Sequence, residues 1–298
     1  LFAFNQDWGA PISWKTILFI AAALALAVAY TFKTIYSLAL GLFVAAGWWT
    51  VQAVTWGFVD RQGGVKGVSI VVGVLLIALA FYLIGRLYDP HTKWKRFSIV
   101  YLIFGLIPIT VVLFACSTKP GLMVLQELTG GGSVFGSWEI VLSLGLFAAS
   151  VAGLLVYALT RKVLSYMEAS ALLFLGILIS AFAFLPEQVV FEKSFRSIYN
   201  YYSAVLTNTG VLWAVVFNLL IFFELLGVIF SGYRRKESWL INIGMVGLFM
   251  LIAFKYFDWF FTFLDKSLFF IGAGVLLLVI GWFMERNRRR LIADIKAV

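Results

Sequence analysis

From Trp14 to Met284 the chain reads as long, continuously apolar stretches separated by short polar breaks. A bilayer core of about 30 Å needs about 20 apolar residues in a helix. The pattern therefore predicts nine membrane spans, near 14–32, 36–58, 67–85, 97–116, 138–158, 168–185, 210–230, 238–256 and 262–284. Strands of a membrane barrel would alternate apolar and polar positions, which these runs do not do. Helices that close their own backbone hydrogen bonds are the remaining way to cross lipid. The predicted fold class is all-α, a polytopic transmembrane helix bundle forming one integral membrane domain over 1–298, with 285–298 as a basic cytoplasmic tail.

Composition agrees with this reading. The chain is 63% hydrophobic and 18% aromatic, only 12% of residues are charged, and mean hydropathy is +1.00. Soluble domains lie far from these values.

The charges then orient the bundle. Lys33, Arg86, Lys93, Lys95, Arg96, Arg161, Lys162, Arg234, Arg235, Lys236 and the tail residues Arg286, Arg288, Arg289, Arg290 and Lys296 all fall on one set of alternate loops. Only Asp89, Glu168, Glu237, Glu285 and Asp294 oppose them there, while basic and acidic residues cancel on the other face. Cytoplasmic loops retain Lys and Arg during insertion. The expectation is a cytoplasmic C-terminus with Leu1 on the outer side. Residues 1–13 show no cleavable signal pattern. A further span upstream of Leu1, giving ten with both ends inside, is the expected arrangement, with a processed or N-out nine-span protein as the alternative.

The basic face needs no nucleic acid. Juxtamembrane Lys and Arg meet anionic lipid headgroups at about 1 kcal/mol each, so the expected partners are membrane lipids, and beyond them a protein partner or a second copy. Trp14, Trp56, Trp94, Trp138, Trp239, Trp259 and Trp282 fall near predicted span ends, where amphipathic rings anchor. Trp48 and Trp49 lie mid-span and are read as interhelical packing. Ala149 with Gly153, and Gly176 with Ser180, have the spacing that permits close helix approach. Pro108 is expected to kink the fourth span. The loop from Cys116 to Ser137 carries Gly130, Gly131 and Gly132 and is read as flexible. The loop from Pro186 to Thr209 mixes aromatic residues with Glu192, Lys193 and Arg196 and is read as an interfacial amphipathic helix.

With one His (His91) and one Cys (Cys116), haem, zinc and Cys–His chemistry lack their ligand sets. No cofactor or metal is expected. Glu224 is the ionisable side chain deepest in a span, and intramembrane acids mark ion or proton routes; Asn218 and Asn242 could assist it. Asp7, Lys255, Asp258 and Asp265 form a candidate polar cluster at the outer face, where converging carboxylates could do acid–base work.

The motifs Lys255-Tyr256-Phe257-Asp258 and Gly281-Trp282-Phe283-Met284-Glu285-Arg286-Asn287-Arg288-Arg289-Arg290, with Asn5-Gln6-Asp7-Trp8 ahead of the first span, resemble a family of bacterial multi-spanning inner-membrane proteins of unknown function. The last 50 residues carry most of the likeness. Lys255 stands where the family has Arg, and the family typically carries an additional N-terminal segment. The resemblance implies a membrane location but no activity.

Three functions stay open: a non-catalytic membrane component that binds or organises a partner, a secondary transporter or channel using Glu224, and an outer-face enzyme acting on lipid-linked material. The first leads, because intramembrane polar groups are scarce.

Overall fold

The computed structural model describes residues 13–56, 67–89, 94–129, 137–183, 191–196, 201–260 and 266–296. In chain order these form α1 (Trp14–Phe32), α2 (Ile35–Val54), α3 (Val68–Tyr88), α4 (Lys95–Cys116), α5 (Lys119–Thr129), α6 (Trp138–Thr160), α7 (Tyr166–Ala183), β1 (Phe191–Arg196), β2 (Tyr201–Leu206), α8 (Asn208–Arg235), α9 (Ser238–Phe260) and α10 (Lys266–Lys296). Eight of these helices, α1 to α4, α6 and α8 to α10, are long and apolar enough to cross a membrane. The protein is a polytopic helical membrane protein. Helix α7 covers the sixth predicted span over Tyr166–Ala183.

Two predicted loops hold regular structure instead. After α4, Thr118 accepts a hydrogen bond from the Gly121 amide at 3.1 Å through its hydroxyl, and its carbonyl accepts from Leu122 at 3.0 Å. That N-cap, with Pro120 just behind it, starts α5 where a flexible loop was expected. The segment read as an interfacial helix is a hairpin: β1 and β2 pair antiparallel from Phe191 opposite Leu206 to Arg196 opposite Tyr201. Phe, Tyr and Val at short range favour a pleated pairing over an amphipathic helix. The basic C-terminal segment continues α10 as one helix to Lys296.

Internal contacts divide the chain into two compact units, Leu1–Trp213 and Ala214–Val298. In the first, α3 is the hub, touching α2, α4, α5, α6 and α7, while α1 lies on α2. Glycines set the closest crossings. A Cβ on Gly105 of α4 would sit 2.6 Å from the Tyr82 amide nitrogen, and one on Gly85 of α3 would sit 2.9 Å from that of Leu102. Ser98 Oγ bridges the same crossing, donating to the Gly85 carbonyl at 2.8 Å. A third notch, Gly73, receives the Trp49 ring, which also meets Phe147 edge-on at 5.3 Å, and Trp48 stacks on Phe19 at 5.0 Å. The mid-span tryptophans are interhelical packing, as expected. The small-residue pairs are not the close approaches expected of them: Ala149 and Gly153 are exposed, and nothing lies within 4 Å of a Cβ built on Gly153 or Gly176. Helix α4 runs unbroken through Pro108.

The second unit holds α8 from Ala214 onward, α9 and α10. Helices α8 and α9 interlock through Gly232 under Ile241, Gly244 under Ile229 and Gly247 under Leu225, and α10 packs on α9.

Three lysines share one geometry. Lys33, Lys162 and Lys236 have φ of 55°, 55° and 57°, each just past a helix whose carbonyl five residues back receives the next amide: Thr34 to Ala29, Val163 to Ala158 and Glu237 to Gly232. This is the Schellman closure, usually made by glycine. Lysine strains the backbone there, but it places a cation at the negative end of each helix dipole.

Candidate functional site

The C-terminal end of α3 carries Tyr82 and Arg86, with Asp89 at its cap, at helical spacing, on the helix with the most neighbours. Arg86 is only 7% exposed. Its Nε donates to Glu168 Oε1 and its Nη2 to Glu168 Oε2, both at 2.9 Å. Nη1 donates to Asp89 Oδ2 and Nη2 to the Val163 carbonyl, both at 3.2 Å. Tyr82 donates its hydroxyl to Glu168 Oε1 at 2.5 Å.

Local sequence explains each position. The Lys162 closure ends α6 and turns the Val163 carbonyl toward Arg86. Ser165 then caps α7, its hydroxyl accepting from the Glu168 amide at 3.2 Å. In a Ser-x-x-Glu capping box the carboxylate would reach back to the cap; here it is held two-armed by the guanidinium. The close α3–α4 crossing holds the backbone of Tyr82 against Gly105. Bidentate Arg–carboxylate pairing is among the stronger charge-assisted contacts. The set ties α3 to α7 and to the α6–α7 turn.

Next to this lock, at the same end of the first unit, lies an aromatic cluster. The Tyr30 and Tyr101 hydroxyls meet at 2.8 Å, with the Tyr88 hydroxyl 3.5 Å from Tyr30. Trp94 packs against Tyr30, Tyr88 and Phe97, and Lys33 Nζ lies 5.8 Å from the Trp94 ring centre. These contacts gather Lys33, Arg86 and the α6–α7 turn, which the charge pattern assigns to one face.

Of the residues singled out in sequence, Glu224 sits half-buried in the middle of α8. Asn218 Nδ2 donates to the Ala214 carbonyl of its own helix at 2.6 Å. Asn242 Oδ1 accepts from Arg288 Nη1 at 3.0 Å, and Arg288 also pairs with Glu285 at 2.7 Å. The Arg288 bond ties Asn242 to α10. A cavity of about 340 Å³ lies between α9 and α10, lined by Asn242, Met245, Phe249, Met284, Glu285 and Arg288 among others. A second, apolar and of about 320 Å³, lies among α2, α3 and α4. Neither is lined by Glu224.

Lys255 is half-buried near the end of α9. Asp7, Asp265, His91 and the side chain of Asp258 lie outside the described residues. Among the described residues no three His, Cys, Asp or Glu side chains group as a metal site, and Cys116 is buried with a free thiol.

The Arg86–Glu168 lock escaped sequence reasoning, which sorted both as loop charges. Two signals were present: an Arg one turn after Tyr82 and one before Asp89, and the Ser165–Glu168 capping spacing. No family model, no curated protein and no solved structure matches this chain.

Proposed function

We propose that the protein is a non-catalytic integral component of the bacterial inner membrane, with nine spans between Trp14 and Met284 and a cytoplasmic C-terminus, whose basic end binds or organises an acidic partner protein. The observation that carries this is α10. At about 1.5 Å per residue its 31 residues reach about 46 Å, whereas a bilayer core needs about 30 Å. The helix therefore extends beyond the hydrocarbon as a stiff rod bearing exposed Arg286, Arg289 and Arg290. Arg288 is anchored to Asn242 of α9, which fixes the angle at which the rod leaves.

Supporting this, polar groups inside the bundle are occupied by architecture: Arg86 by Glu168, Asn218 by its own helix, Asn242 by Arg288. The resemblance of the C-terminal motifs to bacterial inner-membrane proteins points to the same location.

The test has two parts. A cysteine replacing Lys296 should react with a membrane-impermeant maleimide in inverted vesicles and not in intact spheroplasts; the reverse overturns the orientation. Reversing Arg286, Arg289 and Arg290 to Glu should abolish a native-gel complex formed by wild-type protein in gently solubilised membranes. An unchanged complex, or none for wild type, overturns the partner role.

A further inference from the structure

We propose that the apolar groove among α2, α3 and α4 is the chain site of a bound anionic phospholipid, whose phosphate sits at Lys33 and the tyrosine hydroxyls. The groove exists because its walls are small where three helices would otherwise mesh: Gly47, Ala46 and Ala78 line it with Phe81, Phe104 and Pro108. Nothing lies within 4 Å of a Cβ built on Gly47. The one hydroxyl on the wall, Thr50, donates to the Ala46 carbonyl at 2.9 Å and so is already satisfied. Water held in a cavity needs about two to four polar partners, and this wall offers next to none. Inside a membrane-crossing bundle, hydrocarbon is what fills such a space.

The headgroup site lies beyond the Phe81 end of the groove, at the ends of α1 and α3 and the start of α4. Phe81 lines it and meets Tyr101 edge-on at 5.9 Å. Tyr101 bonds Tyr30, which neighbours Tyr88, and Lys33 stands over Trp94 beside them. Along α3, at about 1.5 Å per residue, the groove begins at Phe81, about 10 Å from Tyr88, and ends at Val74, about 21 Å from it. One leaflet's share of the hydrocarbon core is about 15 Å. A lipid of the leaflet at the basic end thus reaches the groove with its tail while its phosphate meets a lysine ammonium and phenolic O–H donors. The preference is for an anionic headgroup, since Lys95 and Arg96 are exposed at the start of α4 beside Trp94, and Asp89, next to Tyr88, is paired with Arg86 at 3.2 Å.

The experiment is thermal melting of the full chain in detergent with added dioleoylphosphatidylglycerol, dioleoylphosphatidylcholine or inorganic phosphate. Phosphatidylglycerol should raise the midpoint in a saturable manner, with phosphatidylcholine at least five-fold weaker and phosphate alone without effect. Gly47→Leu fills the groove without a backbone clash and should weaken the response to phosphatidylglycerol at least five-fold. Lys33→Asn, which keeps an αL-tolerant residue there, should remove the preference over phosphatidylcholine while the tail still binds. The proposal falls if both variants respond like wild type, if the two lipids act equally on wild type, or if phosphate alone reproduces the shift.

Discussion

Arg86 and Glu168 are 82 positions apart and meet in a two-armed ion pair, 2.9 Å on each arm. Removing one partner of a buried pair leaves the other charge desolvated, at about 3–5 kcal/mol. Glu168 keeps 24% of its side chain exposed, so Arg86→Met should cost about 3 kcal/mol, the lower end of that range. Glu168→Gln in the same chain removes the stranded carboxylate and should recover part of the loss. Unfolding of the wild type, both single variants and the double variant in detergent measures the coupling. A double variant less stable than Arg86→Met alone would show that the pair does not hold α3 to α7.

Gly105 carries the backbone contact that positions Tyr82. Its missing Cβ would fall 2.6 Å from the Tyr82 nitrogen and 2.7 Å from its Cα, and backbone cannot swing aside as a side-chain tip can. Gly105→Ala should therefore destabilise by about 1–3 kcal/mol, the usual cost of overpacking. Gly153→Ala is the control, since its Cβ meets nothing within 4 Å. There the better helix propensity of alanine should be neutral or stabilising by up to about 1 kcal/mol. Melting curves of the two variants in one detergent should rank in that order, and the opposite ranking would refute the α3–α4 geometry.

Trp49 is 3% exposed, and its buried indole N–H has no hydrogen-bond partner among the described residues. Leaving such a donor unmet costs about 1–3 kcal/mol. Trp49→Phe loses ring volume but removes that donor, so the net change should stay within about 1 kcal/mol. Gly73→Ala should be strongly destabilising, because its Cβ would lie 1.8 Å from the far edge of the indole. Phenylalanine lacks that edge. The double variant Trp49→Phe with Gly73→Ala should be more stable than Gly73→Ala alone, and additive losses would argue against the notch.

Length and hydropathy made the helices legible. The predicted span 14–32 has the same bounds as α1, and the others lie within a few residues of their helices, except that α8 and α10 run on past theirs. What those signals lack is any record of which side of a helix faces a neighbour. Small-residue spacing pointed to Gly153, which faces open space, and passed over Gly73 and Gly105, which carry the crossings. Partners far apart in sequence were equally hidden: Asn242, named only as able to assist Glu224, bonds Arg288, 46 residues on. The strongest local cue overlooked was the cap at Thr118, where the glycine run beyond it outweighed a helix start. In the hairpin, aromatic residues mixed with charges were taken as amphipathic when their β preference governed the backbone.

Glu224 was the acid that sequence placed deepest in a span, and its surroundings now specify what neutralising it should do. It precedes Leu225, whose side chain fills the space at Gly247 and whose carbonyl lies 3.2 Å from a Cβ built on Gly244, so its backbone is held in the α8–α9 interlock. Ionised side chains near a span centre cost about 2.5–3.5 kcal/mol on insertion scales. Glu224→Gln keeps the shape and removes the ionisable group. For a non-catalytic component the variant should insert and melt at least as well as wild type, with the same passive proton flux when both are reconstituted in liposomes under an imposed pH gradient. Glu224→Leu tests the polar contact separately and should melt lower if the carboxyl is a hydrogen-bonded packing element. A wild-type proton flux above that of empty liposomes, lost in Glu224→Gln with melting unchanged, would make Glu224 a proton-conducting group and turn the reading toward transport.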